Sequence, residues 1–483
     1  MKTFGHLLFH LTTHCSLLSA FLLLSSPSVV SAQWEPDVRL TFNPDSSRTY
    51  CNKCITAGPN GLVQVAWDDH RAGNFEIYYK RSSDYGVTWS PDTRLTYAPI
   101  HSVRPSIASS GLVTHVVWED DRLGNNNIEI YYKRSLDGGV SWYPDTRLTY
   151  APSWSTRPVI AETDSILHVS WSDSRDTINS EEIYYIKSTN MGLTWLPEVR
   201  LTYGTTSSSC PSITATNANV HVTWHTSRDG NLEIYYKRSS DAGVTWSPDT
   251  RLTYDSGWST GPSIASAGSY VYLVWVEGVG NEKIFYKCST DSGVSWGPDM
   301  RLESSPARAG WPSLCTDGGH VHVVWVDNRD VNWELYYKYS TDAGVTWSSD
   351  TRLTFASNTS SEPSISASDS MLHIVWTDYR DTSIFDVGEV YYKRNPKGNV
   401  GVTDNSPFCS VPYASRFTVF PNPFNSFTAV PNHSSELFTL YDISGRKVGT
   451  YRGDRVGEGL SAGVYFLKPE GQVGKPLRIL KLR

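Results

Sequence analysis

The chain has 483 residues, with 42 basic against 49 acidic side chains, a formal net charge of −7 and no basic run. A surface of that sign lacks the electrostatic footprint of a nucleic-acid or anionic-membrane binder, so no nucleic-acid partner is expected. Beyond the N-terminal leader no segment approaches the ~20 apolar residues that a membrane helix needs, so no transmembrane segment is expected.

Residues 1–32 join Lys2, the apolar run LLSAFLLLSS and the small-residue exit VVSA, the pattern of a signal peptide cleaved after Ala32. The product is expected to be secreted or held at the outer cell surface. Six cysteines follow the leader: Cys51, Cys54, Cys210, Cys288, Cys315 and Cys409. In an exported chain Cys51 pairs with Cys54, or Cys409 with one of them, and both options stay open. Read as a redox or half-metal motif, C-x-x-C here lacks a second pair and a helical context. Cys210, Cys288 and Cys315 sit at different places in the repeat described next and read as incidental small core residues.

From residue 33 to 394 a unit of about fifty residues recurs. A tryptophan ends an apolar alternation at Trp67, Trp118, Trp171, Trp224, Trp275, Trp325 and Trp376. One unit, residues 104–149, divides into four short runs, PSIAS, THVVW, EIYYKRS and SWYPDTRLT, separated by Gly, Asn and Asp clusters. Four strands at this period predict the blades of a propeller. The EIYYK-type run occurs seven times, but the turn after it, as in SSDYGVTWSPDTRLTYAP at 82–99, occurs six times. The missing fourth strand stands at the other end, where WEPDVRLT at 34–41 matches WSPDTRLT. These counts predict an all-β, seven-bladed propeller closed by the N-terminal strand, with no open edge.

In each turn S-x-D-x-G-x-T-W the acidic residue is placed to accept backbone N–H groups, the glycine to take positive φ, and the tryptophan to wedge between sheets. The acidic positions are Asp84, Asp137, Asn190 (an amide here), Asp241, Asp291 and Asp342. The turn resembles the Asp-box, or bacterial neuraminidase repeat, of sialidase-like propellers and of some non-catalytic receptors, over about residues 34 to 394. The resemblance implies that these six residues are structural and lie on the face opposite any active site.

The hairpin between the second and third strands carries W-x-D-x-R in five units, giving Asp69 with Arg71, Asp120 with Arg122, Asp173 with Arg175, Asp327 with Arg329 and Asp378 with Arg380. Five near-identical pairs read as structural salt bridges, because a catalytic site needs unlike groups in unlike environments. His115, His168, His221, His322 and His373 each precede the repeat tryptophan by three residues. Separate blades stand too far apart for these nitrogens to share one ion at ~2 Å, so they read as inter-blade packing and hydrogen-bonding residues, and no metal is assigned.

The loops leading into the first strand of each blade depart from the repeat and bring Arg104, Trp154, Arg157, Trp258, Arg308 and Trp311, with Arg48 and Tyr50 in the first unit. Aromatics and arginines at a ring mouth suit stacking on sugars and pairing with carboxylates. The Arg-Ile-Pro signature of sialidases is absent ahead of the first blade, where RTYCNKCI stands, and no irregular Tyr–Glu pair stands out. No catalytic residue or cofactor is therefore assigned. The expected function is non-catalytic binding of a glycan or other surface ligand through Arg104, Trp154, Arg157, Trp258 and Trp311, by a monomer. A sialidase-like glycoside hydrolase is the alternative, and a polysaccharide lyase would need a His–Tyr–Arg cluster.

A linker at 395–415 leads to residues 416–483, where PNPFN, YDISGR and LSAGVYF follow in order and predict a small β-sandwich. This order resembles the C-terminal sorting domain of the type nine secretion system of Bacteroidetes-like bacteria. The resemblance implies a partner in the secretion machinery.

Overall fold

A computed structural model describes residues 34–50, 53–124, 127–177, 180–381, 387–396, 437–442, 446–452, 455–461, 463–469 and 477–481. The chain divides into two units, 1–401 and 402–483. Within the first, the described residues form seven antiparallel sheets of the β-propeller type. Numbered in chain order, sheet one spans 47–94, two 102–147, three 155–200, four 208–251, five 259–301, six 309–352, and seven 360–395 together with 38–39.

The second strand of each sheet is the hydrophobic centre. Val63–Asp69 is buried at every position, because neighbouring sheets cover both of its faces. Each core is shared between sheets: Ala66, Ile77 and Tyr79 of sheet one pack with Ile107, Val116 and Trp118 of sheet two. The fourth strand is only two residues long, as in Thr146–Arg147, which keeps the outer edge short.

That short strand has a second task. In sheet two the Arg147 guanidinium donates to Glu129 Oε1 at 2.6 Å, and the Thr149 hydroxyl donates to Oε2. Thr149 Oγ1 also accepts from the Ile130 N–H at 2.9 Å. The recurrent TRLT thus satisfies the buried carboxylate that opens EIYYK. In sheet seven the same work falls to the N-terminal strand. Val38 pairs with Tyr392 and Arg39 with Tyr391, the Arg39 guanidinium donates to Glu389 at 2.6 Å, and the Thr41 hydroxyl donates to its other oxygen.

The six turns hold together as their pattern requires. Asp241 Oδ1 accepts from the Thr245 N–H at 2.8 Å and the Ser239 hydroxyl at 2.7 Å, while Oδ2 accepts from the Thr245 hydroxyl at 2.5 Å. Asn190 keeps the arrangement, accepting from the Thr194 N–H and donating to the Thr194 hydroxyl. Gly243 has φ +76°, and a Cβ there would collide with the Tyr185 hydroxyl of the preceding sheet.

All five W-x-D-x-R motifs form the expected pairs. Asp120 accepts the Trp118 indole N–H at 2.8 Å and a bidentate pair of bonds from Arg122, which also reaches Asp145 and lies over the Tyr131 ring. The histidines are packing and hydrogen-bonding residues, each meeting a tyrosine hydroxyl of its own sheet. His168 Nδ1 meets the Tyr185 hydroxyl at 2.7 Å, and burial lowers the imidazole to about 3, so it is neutral.

In the second unit the described strands 437–442, 447–452, 463–469 and 477–481 form one four-stranded antiparallel sheet, around Phe438, Leu440 and Leu467. The expected leader, the linker 397–415, and Cys51 and Cys409, on which the pairing expectations depend, lie outside the described residues.

Candidate ligand cavity on the ring axis

The first strand of each sheet lies innermost and carries an irregularity at one place. In sheets two to seven the residue before the strand's proline has positive φ: Arg104 +52°, Arg157 +53°, Cys210 +54°, Gly261 +57°, Trp311 +46° and Glu362 +51°. Pairing shifts at this point in every one of these strands, for example between Val103 and Ser106. Five of the six are side-chain-bearing residues in a conformation that favours glycine, and such local strain concentrates at functional sites.

These positions converge. Arg104, Arg157, Cys210, Gly261, Trp311 and Glu362 all line one cavity of about 470 Å³, joined from sheet one by Tyr50 and Lys53. Lining residues from all seven sheets place it on the ring axis. Sheet one carries an insertion at this place. Val103 and Ile107 pair with Glu119 and Val116, whereas their counterparts paired with Asp68 and Val65 are Arg48 and Ile55, an insertion of three residues.

A second variable position follows each repeat tryptophan, at Asp68, Glu119, Ser172, His225, Val276, Val326 and Thr377, and of these His225 and Val276 line the cavity. The two positions interlock between neighbouring sheets. The Arg104 N–H donates to Asp68 at 3.4 Å, and the Arg157 N–H donates to Glu119 at 2.6 Å. Side chains add ion pairs: Arg48 with Asp68 at 3.3 Å, Arg104 with Glu119 at 3.2 Å and Arg157 with Glu181 at 3.0 Å.

Burial pushes the Asp68 carboxyl up to about 6, opposed by Arg48, the Tyr50 hydroxyl and the Arg104 amide. Burial and then the Asp68 charge raise Glu362 to about 7, opposed by Arg48 and Arg104. Tyr50 is pushed well above the ordinary phenol range by burial and Asp68, so it stays protonated and donates to the Asp68 carboxylate. His225, beside Arg157, is lowered to about 4 by burial. Its Nε2 meets the Ser209 hydroxyl at 3.1 Å.

Of the residues expected at the mouth, Arg104, Arg157, Arg308, Trp311 and Tyr50 line the cavity. Trp154 and Trp258 do not; both rings are about half exposed on the loops three residues earlier in the strand. Cys210, expected to be an incidental core residue, lines the cavity instead. Asp68, Glu119, His225, Lys53 and Glu362 escaped notice because they follow no motif. For all but Lys53 the signal is variability at two fixed positions of the repeat. Tyr50 and Asp68 form a tyrosine–carboxylate pair outside the repeated strands, distinct from the recurrent pairs such as Tyr184 with Asp176. No group of three or more potential metal ligands occurs among the described residues.

No family model matches the chain, and no curated protein does. Solved structures share the fold. A polysaccharide lyase, Uly1, matches with a TM-score of 0.53 at 11% identity, covering 73% of this chain and 90% of its own. An ulvan lyase of polysaccharide lyase family 25, bound to -[GlcA(1-4)Rha3S]-, matches with a TM-score of 0.54 at 12% identity, covering 74% and 95%. A sialidase of Trypanosoma rangeli matches with a TM-score of 0.44 at 12% identity, covering 80% and 88%.

Proposed function

We propose that the axial cavity binds an acidic glycan, with Trp311 stacking on a sugar face and Arg104 and Arg157 meeting oxyanion substituents. The observation that carries this reading is the convergence of those three residues, at one equivalent strained position of three inner strands, on a single cavity. The lyases of similar fold act on polysaccharides, which supports the ligand class. Arg104 keeps about 41% of its side chain exposed beside Glu119, leaving donors for a ligand. The leader pattern and the motif order of the C-terminal segment support export of this binder by secretion machinery. The test is a glycan array on the mature chain, followed by calorimetry. Acidic glycans should bind, and Trp311→Ala combined with Arg104→Ala should abolish binding. Failure of any glycan to bind would refute the reading.

A second reading, cleavage of the bound glycan, draws on Asp68 and Glu362. Two carboxyls poised near neutrality beside a protonated phenol form a set suited to proton transfer. Incubation with uronate polysaccharides separates the readings: new reducing ends mark hydrolysis, added absorbance of an unsaturated uronate marks elimination, and neither marks a binder.

A further inference from the structure

Every arginine that lines the cavity already has a carboxylate partner. Arg104 pairs with Glu119, Arg157 with Glu181 and Arg308 with Glu282, the last at 2.5 Å. The remaining lining cation, Lys53, has none among the described residues. Its ammonium donates to the Ile213 carbonyl at 2.5 Å, across the ring from sheet one to sheet four. Ile213 stands three residues beyond the Cys210 bulge along its strand, so the ammonium lies deeper than the residues at the mouth.

We infer that Lys53 is the anion-recognising group at the floor of the cavity, taking a carboxylate or sulfate ester on the sugar residue that enters deepest. The inference rests on the glycan reading above and names the substituent that the deepest subsite selects. One carbonyl satisfies one of the three ammonium donors, and removing a cation from water without a counterion is costly. Burial accordingly draws this amine down to about 8, with no carboxylate among the described residues to hold it up. An entering oxyanion supplies both the missing charge and two acceptors. The backbone is built for this placement: the three-residue insertion occurs only in sheet one, and it sets Lys53 at φ +60°. The three carboxylates already paired with the lining arginines leave those side chains no comparable gain from the same anion.

The experiment compares the mature wild-type chain with Lys53→Met and Lys53→Arg. The calorimetric probes are an oligogalacturonate, its methyl ester and a sulfated galactan oligosaccharide; inorganic sulfate is added in thermal melts at low ionic strength. The uronate or the sulfated probe should bind the wild type, weaken about tenfold or more in Lys53→Met as a charged hydrogen bond is lost, and recover in large part in Lys53→Arg. Which of the two probes binds identifies the oxyanion. Equal binding by Lys53→Met, or equal affinity for acid and methyl ester with no selective binding of the sulfated probe, overturns the inference and leaves the glycan reading standing. Should no oligosaccharide bind the wild type, the glycan reading falls and sulfate decides Lys53 alone. Stabilisation present in wild type and lost in Lys53→Met supports the anion site, and equal melting shifts overturn it.

Discussion

Trp34 packs edge-on against Tyr337, with ring centroids 5.0 Å apart and planes at 79°, although 303 residues separate them in the chain. The same contact joins Trp142 to Tyr79 at 4.9 Å, Trp195 to Tyr132 at 5.0 Å and Trp246 to Tyr185 at 4.9 Å. In each, the tryptophan of one sheet covers the second tyrosine of the sheet before it. Trp34 therefore fills, for sheet seven, the place that the hairpin tryptophans fill elsewhere, and does so from the opposite end of the chain.

The N-terminal strand is accordingly part of the ring. A chain beginning at residue 45 loses the Trp34 contact and the Arg39 and Thr41 bonds, which leaves the Glu389 carboxylate buried and without those partners. Stranding one partner of a buried ion pair costs about 3 to 5 kcal/mol. The shortened chain should melt well below the mature one by calorimetry; equal midpoints would contradict the closure.

Two tryptophans separate packing from exposure. Trp246→Ala should cost about 3 kcal/mol, the low end for truncating a packed Trp because part of its ring meets solvent. Trp258, half exposed and outside the cavity, should change stability by less than about 0.5 kcal/mol on truncation. Urea unfolding of the two variants provides the comparison.

The buried histidines predict acid sensitivity. His115, His168, His322 and His373 are lowered to about 3, and His221 to about 4, each chiefly by burial. Between pH ~6.5, where an unfolded histidine titrates, and these folded values, the unfolded chain binds more protons. Stability is thus fully present above ~6.5 and falls as pH drops toward 4. Denaturant midpoints measured from pH 7.5 to 4.5 should decline, and Tyr185→Phe, which removes the partner of His168 without changing its charge, should leave the slope nearly unaltered.

Glu162 works in the other direction. Its carboxyl lies 3.8 Å from His115 Nε2, and burial raises it to about 8. Between its unfolded value near ~4.3 and 8 the folded state holds the extra proton, so this group lowers stability progressively as pH rises through that window. Glu162→Gln should raise the melting temperature at pH 8 and bring little change at pH 4, as read by calorimetry at the two pH values.

The repeat alone determined the propeller class, the strand order within each sheet and the displaced closing strand. A period near fifty with recurrent Trp, Glu-x-Tyr-Tyr and Arg-Leu-Thr elements pairs the buried carboxylates with their donors in the same way in six of the seven sheets. It also determined that the W-x-D-x-R pairs and the histidines are structural, because like groups in like surroundings recur in five of the seven sheets. The cavity was decided by tertiary structure. Arg104, Trp311 and Glu362 are scattered over 259 positions of sequence, and only ring closure brings their equivalent bulges onto one axis. The same closure separates Trp311, which turns into the cavity, from Trp154 and Trp258, which stay on the rim. Lys53 is the sharpest case: sequence shows an unremarkable lysine beside two cysteines, and its role follows from a three-residue insertion that carries the ammonium to a carbonyl on the far side of the ring, where no carboxylate among the described residues meets it.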